Sequence, residues 1–378
     1  MHLYLHIPFC RQACYYCDFH FSTNQQLKSK LVQAICDEII LQKDFLKNRK
    51  LETIYFGGGT PSLLSGYELG VIFDNICRNF DLSGIKEITL EANPEDINFE
   101  NFNLWKGFNI NRLSLGIQTF HEGTLKFFNR NHTAEISINA LRLLLGAGYS
   151  NLTADLIYAH NVLGLDENLS NSILEDDLKL ISQFGLNHIS AYNLTLEPNT
   201  VFGKWLKQNK LKSISEDHAS HQYQILVDFL KSENYIQYEI SNFGKSGYFA
   251  FHNSAYWKDE EYLGIGPSAH SYNLRKRQSN VANNPKYVQS ISEGIVPFSE
   301  EILSVADKVN DYLLTGLRTI WGIDLNKISQ IAGNIPQAFW DTLSKYKSEG
   351  QIIQNDEKVI ISDSGRIFSD RIASDLFF

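Results

Sequence analysis

The sequence has no long hydrophobic run and no excess of positive charge. None of its apolar runs approaches the about 20 residues that a membrane-spanning helix needs. The start, Met1 to Tyr4, also lacks the basic and apolar regions of a secretory signal, so we expect a cytoplasmic protein. Acidic side chains exceed basic ones, 43 against 34, for a net charge of -9. This balance argues against a nucleic-acid partner.

Cysteine is also scarce, and its placement matters more than its number. Three of the five cysteines, Cys10, Cys14 and Cys17, lie close together, while Cys36 and Cys77 stand alone. An odd count with one tight group favours a metal site in a reducing compartment over a disulfide framework. Cys36 and Cys77 lie among isoleucines at helical spacing, which predicts small core residues.

The first 200 residues alternate short β-branched or aromatic runs with longer amphipathic stretches, which predicts an α/β fold of six βα units. Such units build either a partial (β/α)6 barrel or a flat doubly wound sheet, and in both the loops after the strands gather at one rim, where ligands bind. The predicted strands are 3–7, 53–56, 87–91, 112–117, 152–157 and 188–194, and the main predicted helices are 27–46, 69–80, 137–147 and 169–184.

The later part of the chain has a different pattern. A predicted helix at 218–231 leads into an aromatic, glycine-punctuated stretch at 235–272, which we interpret as an elaboration of the barrel. Residues 280–297 contain Asn and Pro breakers and predict a linker. We therefore expect a barrel at 1–200, an elaboration with linker at 201–297, and a small helical domain at 298–378 that includes a hairpin with its turn at Asp356 and Glu357.

The three neighbouring cysteines follow the first predicted strand and so lie on the predicted rim. Three thiolates at this spacing can each bind one iron of a cubane cluster and leave the fourth iron open for a ligand. Two alternatives compete. The three positions also share one helical face and could be core cysteines, and Cys17 with His20 could complete a zinc site. The cysteines alone leave iron and zinc open.

A second predicted rim loop, GGGTPS at 57–62, follows the second strand. Glycines there let a small polar ligand approach the backbone, although most glycine runs are only tight turns. The CxxxCxxC and GGGTP pair resembles the radical S-adenosylmethionine (SAM) superfamily. Further runs resemble the oxygen-independent coproporphyrinogen III oxidase group over essentially the whole chain: LYLHIPFC at 3–10, IYFGGGTPSL at 54–63, EANPE at 91–95, RLSLGIQ at 112–118, ADLIY at 154–158 and YLGIGPSAHS at 262–271.

Within that group the chain most resembles the HemW haem-chaperone family. Phe19 stands where the oxidases have a fourth cysteine, and the sequence starts too close to Cys10 for the oxidases' N-terminal segment. Residues 252–257 match the HNxxYW signature that the family associates with haem. A neutral His252 is a sound iron ligand, and Tyr256 and Trp257 offer flat apolar surface. The alternative is a hydrogen-bonded histidine among core aromatics.

The resemblance implies a radical SAM barrel with a small helical, winged-helix-like C-terminal domain. It implies that Cys10, Cys14 and Cys17 ligate a [4Fe-4S] cluster whose open iron binds SAM, and it assigns no catalytic side chain. Each ligand-binding position has the alternative of a rim residue that caps a helix or balances a neighbour. The implied positions for SAM are Tyr4, Tyr16, Gly58, Gly59, Thr60, Glu91, Gln118, Arg130 and Asp155, and those for haem are His252, Asn253, Tyr256 and Trp257.

The implied function is a haem chaperone that transfers haem to respiratory apoproteins. Its implied partners are haem, these acceptors at the membrane, an electron donor for the cluster and a second copy in a homodimer. The alternatives are the oxidase itself, an enzyme, and a zinc-stabilised scaffold. His6, His20 and His270 are interpreted as structural. One departure from the family is Ala159-His160-Asn161, where Gly-Leu-Pro is usual, and it alters the rim beside Asp155.

Overall fold

The computed structural model of the protein describes residues 1–160 and 166–378, and its central feature is one twelve-stranded sheet. Six parallel strands lie side by side in chain order, as in a barrel wound in one direction, whereas a doubly wound sheet would reverse its order. The partial-barrel prediction is therefore confirmed. The six strands are β1 His2–Ile7, β2 Thr53–Gly58, β3 Glu87–Ala92, β4 Arg112–Gln118, β5 Leu152–Tyr158 and β6 His188–Asn193.

The described residues of this part of the chain form the helices α1 Lys28–Gln42, α2 Gly66–Asn79, α3 Phe99–Gly107, α4 Glu122–Phe127, α5 Ala134–Gly146 and α6 Glu167–Ser182. Four of them match the predicted helices. The other two, α3 and α4, are short and have few buried apolar residues, so their periodicity is weak. Their N-terminal caps are a clearer sign, because the side chains of Asn98 and His121 accept hydrogen bonds from Asn101 N and Thr124 N.

The rest of the sheet comes from the aromatic stretch, which closes around the barrel. Strand β9 pairs in parallel with β1, and β8 pairs antiparallel with β6. The elements are α7 Val201–Lys207, α8 Glu216–Ser232, β7 Ile236–Gln237, β8 Asn242–Gly244, α9 Phe251–Trp257, β9 Tyr262–Ile265, β10 His270–Tyr272, β11 Lys276–Asn280, α10 Asn284–Ser292 and β12 Phe298–Ile302.

Two details of the sequence interpretation are wrong. Residues 280–297 are not a linker, because they contain α10, whose Tyr287 is fully buried and donates a hydrogen bond to Glu38 Oε2 at 2.5 Å. The breakers Asn283 and Pro285 begin this helix instead of interrupting the chain, since Asn283 caps it. Cys77 is exposed, whereas Cys36 is buried as expected.

The C-terminal residues pack around a hydrophobic core of their own, which includes Leu313, Ile328, Leu343 and Ile372. Strand β12 pairs with β11 in the large sheet, although it falls in the third predicted domain. The hairpin is present, with its turn at Asp356. The elements are α11 Val305–Leu317, β13 Ile323–Asp324, α12 Leu325–Ala332, α13 Gln337–Ser348, β14 Ile352–Asn355, β15 Lys358–Ile361 and α14 Ser369–Asp375.

Within residues 1–160 and 166–378, no helix combines the length and apolar character that crossing a bilayer requires.

Candidate cofactor site

A cavity of about 620 Å³ opens at the carboxyl ends of the parallel strands. We call this end the rim. The three cysteines and most of the predicted SAM positions line the cavity together, as parallel strands that end at one edge require. The predicted residues in its wall are Cys10, Cys14, Cys17, Tyr16, Gly58, Gly59, Thr60, Glu91, Gln118, Arg130 and Asp155.

The cysteine loop is fixed to the rim by backbone and side-chain contacts. Cys10 N donates to Ser22 O at 3.0 Å and Tyr15 N donates to Phe128 O at 3.1 Å. Thr60 Oγ1 donates to Cys10 Sγ at 3.5 Å, and Arg130 Nη1 lies 3.4 Å from Cys14 Sγ. The loop is therefore in contact with the glycine turn on one side and with Arg130 on the other.

The three thiols can hold a metal centre only as thiolates. Burial raises the pKa of Cys10 and raises the pKa of Cys17 to about 12, so their thiolates need a strong positive partner, which a bound metal centre would supply. Across the part of the chain that the structure describes, no three His, Cys, Asp or Glu side chains converge on one metal ion. The thiolates of a cubane cluster need no such convergence, because each binds its own iron. His20, the fourth ligand in the alternative zinc site, uses its Nε2 in a hydrogen bond with Asn284 Oδ1 at 2.7 Å.

The turn needs glycine because its backbone approaches β1 closely. A Cβ atom on Gly58, which has φ +107°, would lie 2.6 Å from the His6 ring, and one on Gly59 would lie 2.8 Å from Ile7 O. The amides are used within the protein, since Gly58 N donates to Glu91 Oε2 at 3.2 Å and Gly59 N donates to Ile7 O at 2.8 Å. The glycines therefore give clearance to a ligand, but these two N–H groups are not free to bind it.

Two carboxylates stand in the cavity wall. Glu91 Oε1 accepts a hydrogen bond from Tyr55 Oη at 2.7 Å, and Asp155 accepts from Ser114 Oγ at 3.0 and 3.1 Å. Desolvation raises the pKa of Glu91 to about 7 and that of Asp155 to about 6. Such acceptors gain most from a ligand that brings a positive charge or hydroxyl donors into the cavity.

Arg130 joins several rim loops. Its Nη2 donates to Asn93 Oδ1 at 2.7 Å and to Gly116 O at 2.8 Å, while its buried Nε has no partner among the described residues. Gln118 has φ +68° at a register shift between β4 and β5, which turns it into the wall. Sequence reasoning did not single out Asn93 and Ser114, although both lie in the motif runs EANPE and RLSLGIQ.

The other predicted positions lie away from the cavity wall. Tyr4 is stacked on Tyr55 at 5.9 Å between ring centroids. His252, Asn253, Tyr256 and Trp257 lie on α9 at the opposite end of the barrel, where His252 Nδ1 is 2.6 Å from Thr53 Oγ1 at the start of β2. We call this end the floor and define it as α9 together with His2, Thr53 and Glu87. The structure therefore separates the predicted SAM positions in the cavity wall from the predicted haem positions, whereas Tyr4 lies with its ring centroid 6.4 Å from that of His252.

The segment beside Asp155 that differs from the usual family sequence, residues 159–161, lies only partly within the described residues. Ala159 has φ +56° and its N–H donates to Gln222 Oε1 at 2.7 Å, while His160 is buried edge-on against Phe128. Burial lowers the pKa of His160 to about 4, so it is neutral. Asn161 lies outside the described residues.

Comparisons with known proteins agree with this geometry. The Radical SAM superfamily model matches residues 4–190. The haem chaperone HemW of Lactococcus lactis is 31% identical over 363 residues, which cover 96% of this chain and 93% of the relative. The chain belongs to the HemW family. HemW of Bacillus subtilis is 29% identical, with 98% of this chain and 97% of that relative covered.

A solved structure shows the same fold. Coproporphyrinogen III oxidase HemN from Escherichia coli, a radical SAM enzyme, superposes with a TM-score of 0.83 and covers 99% of this chain and 89% of its own. Its sequence identity is 20%, so the likeness concerns the fold alone. The predicted family and the predicted radical SAM fold are both confirmed.

Proposed function

We propose that this HemW-family protein is a haem chaperone, which holds a [4Fe-4S] cluster and SAM at the rim, binds haem, and passes it to haem-dependent respiratory proteins. The observation that carries the proposal is the whole-chain similarity to proteins named haem chaperone HemW. Phe19, in place of the oxidases' fourth cysteine, supports the chaperone over the oxidase. The proposed partners also include an electron donor, a second copy of the chain, and a membrane surface during transfer.

The rim residues support cluster and SAM binding through their own chemistry. Cys10, Cys14 and Cys17 would hold the cluster, which when bound supplies an open iron and single electrons. Glu91 would accept hydrogen bonds from the ammonium group of SAM, since its carboxylate lies in the cavity wall with two donors among the residues that the structure describes. Asp155 would accept from ribose hydroxyls beside Ser114.

Arg130 would serve both ligands. Its guanidinium donates toward Cys14 Sγ and is held in place by Asn93 and Gly116, so it is oriented before any ligand enters. Its charge can offset thiolate charge and attract the carboxylate of SAM. Oriented donors of this kind reduce the entropy that binding costs.

The proposal is tested by an anaerobic preparation assayed for iron, sulfide and haem. We expect iron and sulfide in cluster proportions, and saturable haem binding seen in its absorption band. A second assay adds reductant, SAM and coproporphyrinogen III. Absence of saturable haem binding would contradict the chaperone proposal, and formation of protoporphyrinogen would identify the protein as the oxidase instead. Zinc without iron would contradict both.

A further inference from the structure

Helix α9, which carries the HNxxYW signature, closes the floor of the barrel. Its first two amides donate to the buried carboxylate of Glu87 at the start of β3: Phe251 N to Oε2 at 2.9 Å and His252 N to Oε1 at 3.0 Å. These are N–H groups that a helix cannot satisfy internally. The helix is therefore fixed to the strand that also carries Glu91.

The ring of His252 is part of a hydrogen-bonded chain that runs to the protein surface. His252 Nε2 lies 2.8 Å from Tyr256 Oη, His252 Nδ1 lies 2.6 Å from Thr53 Oγ1, and Thr53 Oγ1 lies 2.9 Å from His2 Nδ1. The chain ends where His2 Nε2 meets Glu260 Oε2 at 2.9 Å. Both ring nitrogens of His252 thus have partners inside the protein.

Each link of this chain joins groups that can donate and accept, whichever tautomers the two histidines adopt. Burial holds the pKa of His252 well below its ordinary value, so the ring is neutral, with one nitrogen that donates and one that accepts. Both nitrogens are used inside the protein, Nδ1 by Thr53 and Nε2 by Tyr256.

This arrangement does not fit a haem iron bound to His252. Iron would need a free lone pair on Nε2, but Nε2 is hydrogen-bonded to the Tyr256 hydroxyl, and a porphyrin plane would need open space there. Tyr256 fills that space and packs edge to face on Tyr262 at 4.6 Å. His252 itself is 1% exposed. A ligand position at this ring is closed by the protein's own side chains.

The same ring touches the residue that orients Glu91. The rings of His252 and Tyr55 are stacked with centroids 5.0 Å apart, and Tyr55 Oη donates to Glu91 Oε1 at 2.7 Å. Glu91 Oε2 in turn accepts from Gly58 N in the glycine turn. Tyr55 is tightly confined, since a Cβ on Gly57 would lie 2.8 Å from its Cε1. Tyr55 therefore links the floor to the rim.

We propose that His252, held by Tyr256 and Thr53, is a positioning residue for Tyr55 and Glu91 and is not an axial ligand of haem. The HNxxYW helix then acts on the SAM site from below, and haem binds elsewhere on the protein. This inference rests on the proposed function for the identity of both ligands. It requires SAM affinity and haem affinity to respond differently to changes at residue 252.

The test compares two substitutions in cluster-loaded, anaerobic protein. His252→Phe keeps a ring against Tyr55 but cannot bind iron, whereas His252→Ala removes both ring and nitrogen. We expect the alanine variant to bind SAM about tenfold more weakly, because that factor corresponds to the loss of one oriented hydrogen bond to a charged group. The phenylalanine variant should retain most of the affinity. Haem affinity and the haem absorption spectrum should stay unchanged in both.

Two further variants separate positioning from simple loss of stability. Tyr55→Phe removes only the hydroxyl that Glu91 uses, so it should weaken SAM binding as His252→Ala does. Tyr235→Phe is the matched control, because it removes a buried hydroxyl that donates to Leu186 O at 2.5 Å, away from Tyr55 and from α9. It should lower the melting temperature but leave SAM affinity unchanged.

The outcomes are distinct. Loss or a spectral shift of bound haem in His252→Phe overturns the proposal, and so does unchanged SAM affinity in His252→Ala. Equal weakening of SAM binding in Tyr235→Phe also overturns it, since that would reflect general destabilisation. If the wild-type protein binds no haem at all, the proposed function fails, while the ratio of SAM affinities still decides the role of His252.

Discussion

The two ends of the barrel use polar residues in opposite ways. At the rim, Glu91, Asp155 and Arg130 face a cavity of about 620 Å³ beside three thiols. At the floor, the side chains form a linear chain of hydrogen bonds with one another, through Tyr256, His252, Thr53 and His2. Polar groups that face a cavity can bind a ligand, whereas polar groups that satisfy each other hold a structure together.

The comparison shows why residue type alone does not identify a binding site. Histidine and tyrosine in HNxxYW have the chemistry of a haem site, yet their donors and acceptors are already used. Glutamate and aspartate at the rim carry pKa values raised by desolvation, to about 7 and about 6, which marks groups held in a charge-poor environment without full compensation. The availability of a group distinguishes the two ends better than its identity does.

The largest effect should follow from removing one thiol at the rim. Cys14→Ala leaves two of the three predicted ligands, so we expect complete loss of the iron–sulfur absorption and of bound iron in anaerobic protein. Cys77→Ala is the control, because Cys77 is exposed and lies on α2. A Cys14→Ala protein that keeps its full iron content would contradict the rim assignment.

A large effect on stability is expected at the floor. Glu87→Ala removes the acceptor of two helix amides and the carboxylate 3.9 Å from the buried Arg112 Nε, so it should cost about 3 to 5 kcal/mol of unfolding free energy. The measurement is denaturant unfolding. Glu52→Ala, which breaks the solvent-exposed ion pair with Lys86, should cost no more than about 1 kcal/mol. Equal losses of unfolding free energy in the two variants would contradict the view that Glu87 stabilises the floor more than a surface ion pair stabilises the protein.

A third prediction concerns pH. Glu91 has a folded pKa of about 7 against an ordinary 4.5, so the folded protein binds more protons than the unfolded chain between these values. Stability from this group is therefore present at acidic pH and lost as pH rises from 4.5 to 7, on the order of 3 kcal/mol. Glu91→Gln, which cannot titrate, should flatten that part of the curve.

The measurement for Glu91 is urea unfolding of SAM-free protein across this pH range, with Asp44→Asn as the control. Asp44 is exposed at the surface, so its replacement should leave the slope unchanged. Added SAM should weaken the pH dependence in the wild type, because its ammonium group favours the charged carboxylate. A Glu91→Gln curve as steep as the wild-type curve would show that other groups cause the slope.

Much of the fold can be predicted because the parallel strands are buried on both faces and read as apolar runs. The apolar pattern predicts β5 at 152–157, and the strand spans Leu152–Tyr158. Helix α10 is not predicted, because it begins with Asn284 and Pro285 and has a short apolar face, a pattern that is typical of a linker. The helix is packed through contacts distant in sequence, such as the hydrogen bond from Tyr287 to Glu38, 249 residues away along the chain. Such a contact has no local sequence signal.

The rim is predictable in composition but not in detail. The motif runs place Glu91 and Asp155 at strand ends, and the structure brings them with Arg130 to one cavity wall. The use of the glycine amides by Ile7 O and Glu91 could not be predicted, because it depends on how closely β1 and β2 approach. A hydrogen-bonded His252 among core aromatics is one of the two alternatives that the sequence leaves open, but its partner Thr53 could not be predicted, since it comes from a distant strand.

The smallest expected effect lies at the contact between the glycine turn and the cluster loop. Thr60 Oγ1 donates to Cys10 Sγ at 3.5 Å, and a hydrogen bond to a ligating sulfur stabilises the reduced, more negative cluster. Thr60→Val keeps the shape and removes this donor, so we expect the reduction potential to fall by on the order of tens of millivolts. Thr60→Ser, which keeps the hydroxyl, should stay near the wild-type value in an anaerobic redox titration. An unchanged potential in Thr60→Val would mean that the rim tunes its cluster through Arg130 and not through the glycine turn. The contrast between the rim, whose polar groups face a cavity, and the floor, whose polar groups bond to one another, would then rest on Glu91, Asp155 and Arg130.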